Sequence, residues 1–464
     1  MHYYRRVEEI LRNLRPAFSR DAAYEWFVVL IWGILLCTGY PAITSYLNAV
    51  GLTQDCYSQA LHWFHSSSWS VEKLSLAWHE WLLNHPQVHR LKGQPVYLGD
   101  GIKVSKEGRK MPAVKQLHQE SENVTKAEWI RGHYFGAITL LFGAGSCFKA
   151  VPVTFELQDG IKTTKDDETT LVDKMSALCR KIIKVGSYIV LDAYFASKTL
   201  ISEFRESNLH LITRVRINTV AKHPKPAAIE GGRGRPRIWG ESLKLRTLFD
   251  EEDSFTTETL PLYGKMVTLK YRSIDLYWDC PHKKVRFVLA VWPEGKQIIL
   301  LSTDVTLSPA EIVTAYSWRF KIEVTFRSFI QLLSGFSYRF WMKDMTETKR
   351  WPQDLILAQY KEKKQQLFNR KIEAFERFVL VNAIVLAILQ LLSLEMPAAI
   401  WKGFPRWFRT LPSNGYPSEQ IVLLTLQEHR ERILAKSPSD ILLAKFIAAK
   451  IPPTRPWHLE RFVR

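Results

Sequence analysis

The sequence is poor in cysteine and has no long uninterrupted apolar run. Only five of its 464 residues are cysteine, and none forms a Cys-x-x-Cys pair. This excludes a disulfide framework and a zinc ribbon and favours a reducing cytosol. A membrane span needs about 20 apolar residues, whereas the run 27–37 has eleven and the run 378–394 contains Asn382 and Gln390. We expect both runs to be buried helices of a soluble protein, without a membrane partner.

Acidic residues are also scarce, with 46 Asp and Glu against 64 Lys and Arg, which leaves a net charge of +18. Such an excess favours a polyanionic partner. A disordered basic tail is excluded, because 46% of the residues are hydrophobic and 12% aromatic. The excess positive charge is unevenly distributed along the chain. Residues 1–90 hold seven basic and seven acidic side chains, whereas residues 211–250 hold nine basic and three acidic side chains.

The order of predicted elements indicates a mixed α/β fold. Residues 1–90 read as short helices with tight connections, which form either a helix-turn-helix that contacts DNA or an ordinary helical bundle. From about residue 94 the sequence predicts three strands, a helix and two further strands, at 95–104, 134–142, 148–157, 169–183, 188–191 and 209–215. This order is typical of a mixed sheet flanked by helices.

A β-rich basic insertion is predicted at 218–299, and helices follow it. Ser308, Pro309 and Glu311 form a helix-start signal with a capping box, and we expect that helix to continue to about Leu333. Residues 396–464 are predicted to form a helical C-terminal region. We expect the insertion to be a binding appendage, because it begins with a segment rich in proline, glycine and arginine, residues 222–240, within the basic stretch 211–250.

Three acidic residues are candidates for chemistry. Asp100 lies in the first predicted strand, Asp192 ends a hydrophobic strand, and Glu323 lies on the helix that starts at Ser308. A carboxylate on a buried strand is unfavourable unless it is paired or binds a metal. For any one of them, an ordinary capping or turn role is the simpler interpretation; together, in this order, they favour a metal site.

The surroundings of Glu323 strengthen this interpretation. Tyr316, Arg319 and Glu323 are spaced i, i+3 and i+7, so one helix face carries all three. The carboxylate suits a hard cation, the guanidinium suits phosphate oxygens, and the phenol donates a hydrogen bond. By spacing alone, a solvated face with an Arg–Glu pair is equally consistent.

The block Tyr316-Ser-Trp-Arg319-Phe-Lys-Ile-Glu323 resembles the signature helix of bacterial insertion-sequence DDE transposases, which carries a Tyr-x2-Arg-x3-Glu-x6-Lys motif. Leu-Asp192-Ala-Tyr-Phe resembles the second-acid motif of that group, and Asp100 matches its first acid. One position departs from the motif, because its lysine falls at Ile330. Either Arg327, one turn after Glu323, takes over that phosphate contact, or the motif is degraded.

The resemblance implies an RNase H-like catalytic core at 91–217 and 300–395 that binds two Mg²⁺ ions, or Mn²⁺, through Asp100, Asp192 and Glu323. It implies metal-dependent hydrolysis at mobile-element ends and strand transfer into target DNA. The expected partners are double-stranded element ends and target DNA, with a homodimer on paired ends. The expected location is the bacterial cytoplasm, at the nucleoid. The alternative is a catalytically inactive, transposase-derived DNA-binding protein.

Further DNA contacts are predicted outside the acids. Tyr316, Arg319 and Arg327 are expected to hold the backbone near the cut, and Lys103 and Lys106 lie in a basic stretch after the first acid. The insertion offers either a minor-groove hook or a flexible basic loop on phosphates, formed by Arg233, Arg235 and Arg237.

Two weaker patterns involve histidine and tryptophan. His62, His65, Cys56 and His79 have spacings that permit a zinc site, but a helical core around Trp63 and Trp69 suits them better. His133 is expected to be structural. One tryptophan of the insertion is a candidate for stacking on an extruded DNA base. The sequence does not distinguish between Trp239, Trp278 and Trp292.

Overall fold

The computed structural model describes residues 3–119, 127–225, 238–278, 280, 282–339, 341–412, 415–436 and 441–450. In these parts of the chain the helices are α1 Tyr3–Asn13, α2 Asp21–Leu36, α3 Ile43–Ala49, α4 Tyr57–Trp63, α5 Val71–Leu83, α6 Leu171–Ile182, α7 Lys198–Glu206, α8 Pro309–Ser317, α9 Phe320–Leu333, α10 Glu362–Glu395, α11 Pro397–Gly403, α12 Glu419–Glu428, α13 Arg430–Leu434 and α14 Leu442–Lys450.

The strands in the same ranges are β1 Arg90–Leu91, β2 Gln94–Ser105, β3 Lys115–His118, β4 Trp129–Ala144, β5 Cys147–Leu157, β6 Ile161–Lys162, β7 Tyr188–Leu191, β8 His210–Val215, β9 Val220–Lys222, β10 Ser242–Lys244, β11 Thr256–Leu262, β12 Lys265–Leu276, β13 Val285–Val291, β14 Gln297–Ser302 and β15 Leu355–Ile356. The predicted fold class, a mixed sheet flanked by helices with helical regions at both ends, is confirmed.

Five strands form the centre of an 11-stranded sheet, in the order β5-β4-β2-β7-β8. The neighbours β5, β4 and β2 are antiparallel, whereas β2, β7 and β8 are parallel. This is the arrangement of an RNase H-like core. The parallel pairs are buried and rich in branched apolar side chains, as expected for strands that are covered on both faces.

The β-rich insertion belongs to the same sheet. Strand β14 pairs with β8, and β13, β12 and β11 extend the sheet outward from there. Inward-facing residues of these strands, such as Phe287 and Leu300, are fully buried in the main core. The expectation of an appendage is therefore corrected for residues 256–299: the nearly continuous apolar runs of β13 and β14 let this part of the insertion complete the sheet.

Helix α10 forms the centre of the helical layer. It is long and apolar enough by composition to cross a membrane, yet 94% of its most apolar window is buried inside the protein. It packs on β5 and contacts α2, α5, α9 and α12. Arg377 from this helix donates to the carbonyls of Phe64, Ser66 and Trp69. The helices of residues 1–90 thus share one hydrophobic core with the sheet. The predicted division of the chain into an N-terminal domain, a catalytic core, an insertion and a C-terminal region stays a prediction.

The helix that begins at Ser308 is divided in two. Its predicted start is confirmed, since Ser308 and Glu311 form a reciprocal capping box with Pro309 in the first turn. The expected continuous helix to Leu333 is wrong, because α8 ends at Ser317 and α9 begins at Phe320. Arg319 directly precedes α9, and its guanidinium contacts Asp100 in the middle of β2.

Buried hydrogen bonds fix α9 against the sheet. The Thr325 hydroxyl donates to the Ala150 carbonyl of β5 at 2.7 Å and accepts from the Gln390 amide of α10 at 3.2 Å. All three groups are buried. Since Thr325 lies on the same helix as Glu323, this network sets the position of the third acid.

We predict that Thr325→Val lowers the free energy of unfolding by about 1–2 kcal/mol, because it leaves two buried polar groups without their partner. Urea unfolding of the full chain measures the change. Thr268→Val is the matched control, since Thr268 is exposed and its hydroxyl bonds only across two outer strands; it should cost less than about 0.5 kcal/mol. Equal losses in the two variants would contradict the positioning role of Thr325.

Candidate active site

Strand register brings the first two acids together. Leu98 of β2 pairs with Val190 of the parallel strand β7. Asp100 and Asp192 lie two residues further along each strand, so both face the same side of the sheet at the same level. The backbone must pass close to a neighbour here: a Cβ on Gly101 would lie 1.8 Å from the Tyr134 hydroxyl. A side chain at position 101 would therefore require the Tyr134 side chain to move.

The third acid reaches the same place through Arg319. The Arg319 guanidinium contacts Asp100 at 3.1 Å, Asp192 at 3.9 Å and Glu323 at 2.5 Å. The side chains of Asp100 and Arg319 are each 19% exposed, and those of Asp192 and Glu323 are 38% and 43% exposed. Three acids that lie far apart in sequence therefore converge on one half-buried cation.

Burial and the neighbouring charges shift the pKa values of Asp100 and Arg319. The pKa of Asp100 is raised to about 7, because burial, helped by the carboxylates of Asp192 and Glu323, outweighs the lowering effects of Arg319 and the Gly101 amide. Burial lowers the pKa of Arg319, but the surrounding carboxylates raise it by more. The three carboxylates therefore favour a positive charge beside them, and the Arg319 guanidinium provides it in this structure.

The donor chemistry fits a divalent cation. Carboxylate oxygens from Asp100, Asp192 and Glu323 are hard ligands of the kind that Mg²⁺ and Mn²⁺ prefer, and Arg319 supplies a stand-in positive charge among them. In the described part of the chain, no group of three or more His, Cys, Asp or Glu side chains is arranged so that it could hold a metal ion. The Arg319 guanidinium contacts all three carboxylates, so a metal ion held by them would have to displace it.

Of the other predicted contacts, Tyr316 and Arg327 lie near the acids. Tyr316 is at the end of α8, and burial raises its pKa to about 12, so its hydroxyl remains a hydrogen-bond donor. Arg327 is exposed one turn beyond Glu323, whereas Ile330 is 44% exposed. The position where a lysine was expected thus presents an apolar side chain, and the guanidinium of Arg327 is the cation available on this part of α9.

Lys103 and Lys106 lie further along β2 or just after it. The Lys103 ammonium donates to the His118 carbonyl at 2.7 Å. Lys106 donates to the Phe336 carbonyl, and burial lowers its pKa to about 8. Neither contacts the three acids. Arg233, Arg235 and Arg237 lie outside the described residues.

A cavity of about 890 Å³ adjoins the acids and includes residues that the sequence did not single out. Arg214 of β8 and Tyr263 line it together with Tyr316 and Trp292. Tyr263 forms the tight turn between β11 and β12 with Gly264, both at positive φ (53° and 79°). The exposed arginine within the buried strand β8 was the available signal for Arg214. Of the three candidate tryptophans, Trp292 lines this cavity.

Of the histidines with zinc-like spacing, His79 is buried in the core, whereas His62 is exposed and His65 is partly exposed. His79 shares a 2.7 Å hydrogen bond with the Tyr97 hydroxyl, and Trp63 stacks on Trp69 with ring centroids 4.2 Å apart. His133 is fully buried, with Nε2 3.0 Å from the Pro112 carbonyl. These contacts are structural, as expected for His133.

Comparison with known proteins identifies the family of the chain. The family model of the DDE superfamily endonucleases matches residues 13–262, more than half of the chain. The chain belongs to the DDE superfamily endonuclease family. The match includes Asp100 and Asp192 and ends before Glu323.

Among solved structures, the chain is similar to the piggyBac transposase in a cryo-EM synaptic complex with hairpin DNA. The identity is 12% and the TM-score 0.34, over 96% of this chain and 79% of that one. No curated protein matches the sequence.

Proposed function

We propose that this protein is a DNA transposase that hydrolyses phosphodiester bonds at the ends of a mobile element and joins the freed ends to target DNA. The observation that carries the proposal is the convergence of Asp100, Asp192 and Glu323 around Arg319 in a DDE endonuclease chain. The resemblance of the Tyr316–Arg327 block to insertion-sequence transposases supports the narrower assignment, including a bacterial, nucleoid-associated enzyme.

Asp100, Asp192 and Glu323 would hold the divalent ions, two Mg²⁺ or Mn²⁺. When bound, such ions make a water or hydroxyl nucleophilic and neutralise charge that develops on the phosphate and on the leaving oxygen. The same three carboxylates serve hydrolysis and strand transfer, because only the nucleophile differs: water in the first reaction and the freed 3′-hydroxyl in the second.

The remaining side chains act on the DNA backbone. Arg319 leaves the carboxylates and forms a bidentate pair with phosphate oxygens, a geometry that guanidinium favours. The Tyr316 hydroxyl donates a hydrogen bond to the same strand, and Arg327 contacts the next phosphate along α9. A homodimer would hold two element ends together.

The test uses duplex DNA from the regions that flank the gene, with Mg²⁺ or Mn²⁺, and measures nicking and joining. We expect the wild type to nick this DNA and Asp192→Ala not to. Asp253→Ala, which removes an exposed aspartate of the insertion, is the matched control and should cleave like the wild type. Binding without cleavage in the wild type, under either metal, would instead indicate an inactive DNA-binding protein.

Replacing Arg233, Arg235 and Arg237 with Gln tests the predicted basic loop. Three lost phosphate contacts should reduce the slope of log affinity against log salt by up to about 3, because each contact releases about 0.9 counterion from duplex DNA. Fluorescence anisotropy over a salt series measures the slope. The matched triple variant Lys361, Lys363 and Lys364→Gln, at the N-terminus of α10, should leave the slope unchanged. An unchanged slope in the arginine variant would contradict the loop's contact with DNA.

A further inference from the structure

A second groove lies away from the catalytic acids, where three distant segments meet. It has a volume of about 550 Å³, within the range of about 300–1,000 Å³ typical of ligand pockets. The residues that give it its chemistry are Tyr40, Lys106, Arg109, Lys110, Arg339 and Trp341. We call it the Trp341 groove. It combines the loop after α2, the segment after β2 and the segment after α9.

The Trp341 groove is strongly basic. Four of its lining side chains are cations, and Glu107 is the acidic one. Lys106 lies at the inner end, where it donates to the Phe336 carbonyl and lies 5.0 Å from the centre of the Phe375 ring. Burial lowers the pKa of Lys106, and the nearby Arg339 lowers it further. This partly desolvated ammonium would gain from a bound anion.

Aromatic rings stand at the rim of the same groove. Trp341 is 78% exposed and Tyr40 is 60% exposed. The Arg339 guanidinium lies over the Tyr40 ring, 5.0 Å from its centre, and donates to its hydroxyl. Flat apolar rings beside cations are the combination that binds unpaired nucleotides, because bases stack on the rings while the cations meet the phosphates.

Distance separates this groove from the catalytic acids. Lys106 follows Asp100 by six residues, and most of that interval belongs to the extended strand β2. At about 3.3 Å per residue, the two positions are about 20 Å apart. A strand of DNA that passes Asp100 along β2 therefore reaches the groove after several nucleotides.

We propose that the Trp341 groove binds single-stranded DNA, with a base stacked on Trp341 and phosphates held by Lys106, Arg109 and Arg339. The proposal rests on the proposed function for the identity of the strand, which is the unpaired DNA released beside the cut. Single-stranded rather than duplex DNA is favoured because the stacking faces of bases are accessible only when they are unpaired.

The test measures affinity of the full chain for fluorescein-labelled dT20 and for a 20-base-pair duplex, without divalent metal. Trp341→Ala should weaken dT20 binding about tenfold, as expected for the loss of one stacked base, and should change duplex binding less than twofold. Trp407→Ala is the matched control, because Trp407 is 84% exposed but lies outside the groove; it should leave both affinities within twofold.

Arg339→Gln is a second variant that removes a cation rather than a ring. It should weaken dT20 binding and reduce its salt slope by about 0.7, the value for one phosphate contact on a single strand. Unchanged dT20 affinity in Trp341→Ala, or equal losses in Trp341→Ala and Trp407→Ala, would overturn the proposal. So would equal losses on dT20 and duplex. The catalytic assignment is tested separately, by the dependence of cleavage on Asp192.

Discussion

Asp100→Asn is expected to reduce metal-dependent DNA cleavage by about a thousandfold or more. The substitution keeps the shape of the side chain and its hydrogen bond from the Gly101 amide, but it removes one of the three negative charges that would hold the cations. A thousandfold loss corresponds to about 4 kcal/mol of transition-state stabilisation, within the several kcal/mol that metal-ion catalysis supplies. Single-turnover cleavage of labelled duplex DNA measures it.

The thermal stability of Asp100→Asn separates a catalytic role from a structural one. Asp100 is largely buried beside two other carboxylates, so removal of its charge should leave the melting temperature of the metal-free protein unchanged or higher. This follows because like charges in a buried site oppose folding. Cleavage at the wild-type rate would contradict the assignment. A loss of cleavage accompanied by a much lower melting temperature would do so as well.

Arg319→Ala is expected to destabilise the metal-free protein by about 3 kcal/mol, because removal of one member of a buried charge group leaves the others uncompensated. Arg319 contacts all three carboxylates, so its loss leaves the charges of Asp192 and Glu323 uncompensated and removes the cation that lowers the pKa of Asp100. The variant should also lose cleavage, since its guanidinium is the proposed phosphate contact. Guanidinium chloride unfolding in the presence of EDTA measures the stability.

Added Mg²⁺ should partly reverse that loss. A ligand that binds only the folded state stabilises it, and in Arg319→Ala the cation no longer competes with a guanidinium. We therefore expect 10 mM Mg²⁺ (roughly the scale at which weak sites fill) to raise the melting temperature more in Arg319→Ala than in the wild type.

Arg286→Ala is the matched control for Arg319→Ala. Arg286 forms a two-bond pair with Asp275 at 2.7 Å, away from the acids. Its removal should lower stability without any additional response to Mg²⁺. A response to Mg²⁺ that is equal in Arg286→Ala and Arg319→Ala would contradict a cation site at the three carboxylates.

Much of the sheet could be predicted from sequence because its strands carry strong local signals. The run Tyr188–Leu191 is uniformly apolar, as a strand buried on both faces must be, and Asp192 directly follows it. The capping box at Ser308 likewise defined the start of α8 through contacts within four residues. The candidate acids followed from the same local patterns and from the order in which they occur.

Other features depend on contacts between distant residues, which local patterns do not contain. The end of α8 at Ser317 has no proline or glycine, so the sequence indicated one long helix. The position of Arg319 between the carboxylates depends on Asp100 and Asp192, which lie more than 100 residues away in sequence. In the Trp341 groove, Arg339 contacts Tyr40, which lies almost 300 positions away in sequence. The local pattern of apolar and polar residues does not predict a contact over such a distance.

The extension of the sheet by the insertion was missed for a different reason. Its first part is rich in proline, glycine and arginine, and that composition suggested an appendage. Strand β14 nevertheless pairs with β8 through Ile299–Ser302. The sequence predicted strands in this region, but a local pattern of apolar residues does not specify which edge of a sheet a strand pairs with.

The most direct test of the metal site is anomalous scattering from crystals of the full chain grown with Mn²⁺. We predict anomalous density among the carboxylates of Asp100, Asp192 and Glu323, with the Arg319 guanidinium displaced from them. In Asp192→Ala crystals, prepared identically, that density should be lost or strongly reduced. Density elsewhere in the wild type but absent at these carboxylates, or equal density in the two crystals, would contradict the assignment of this site.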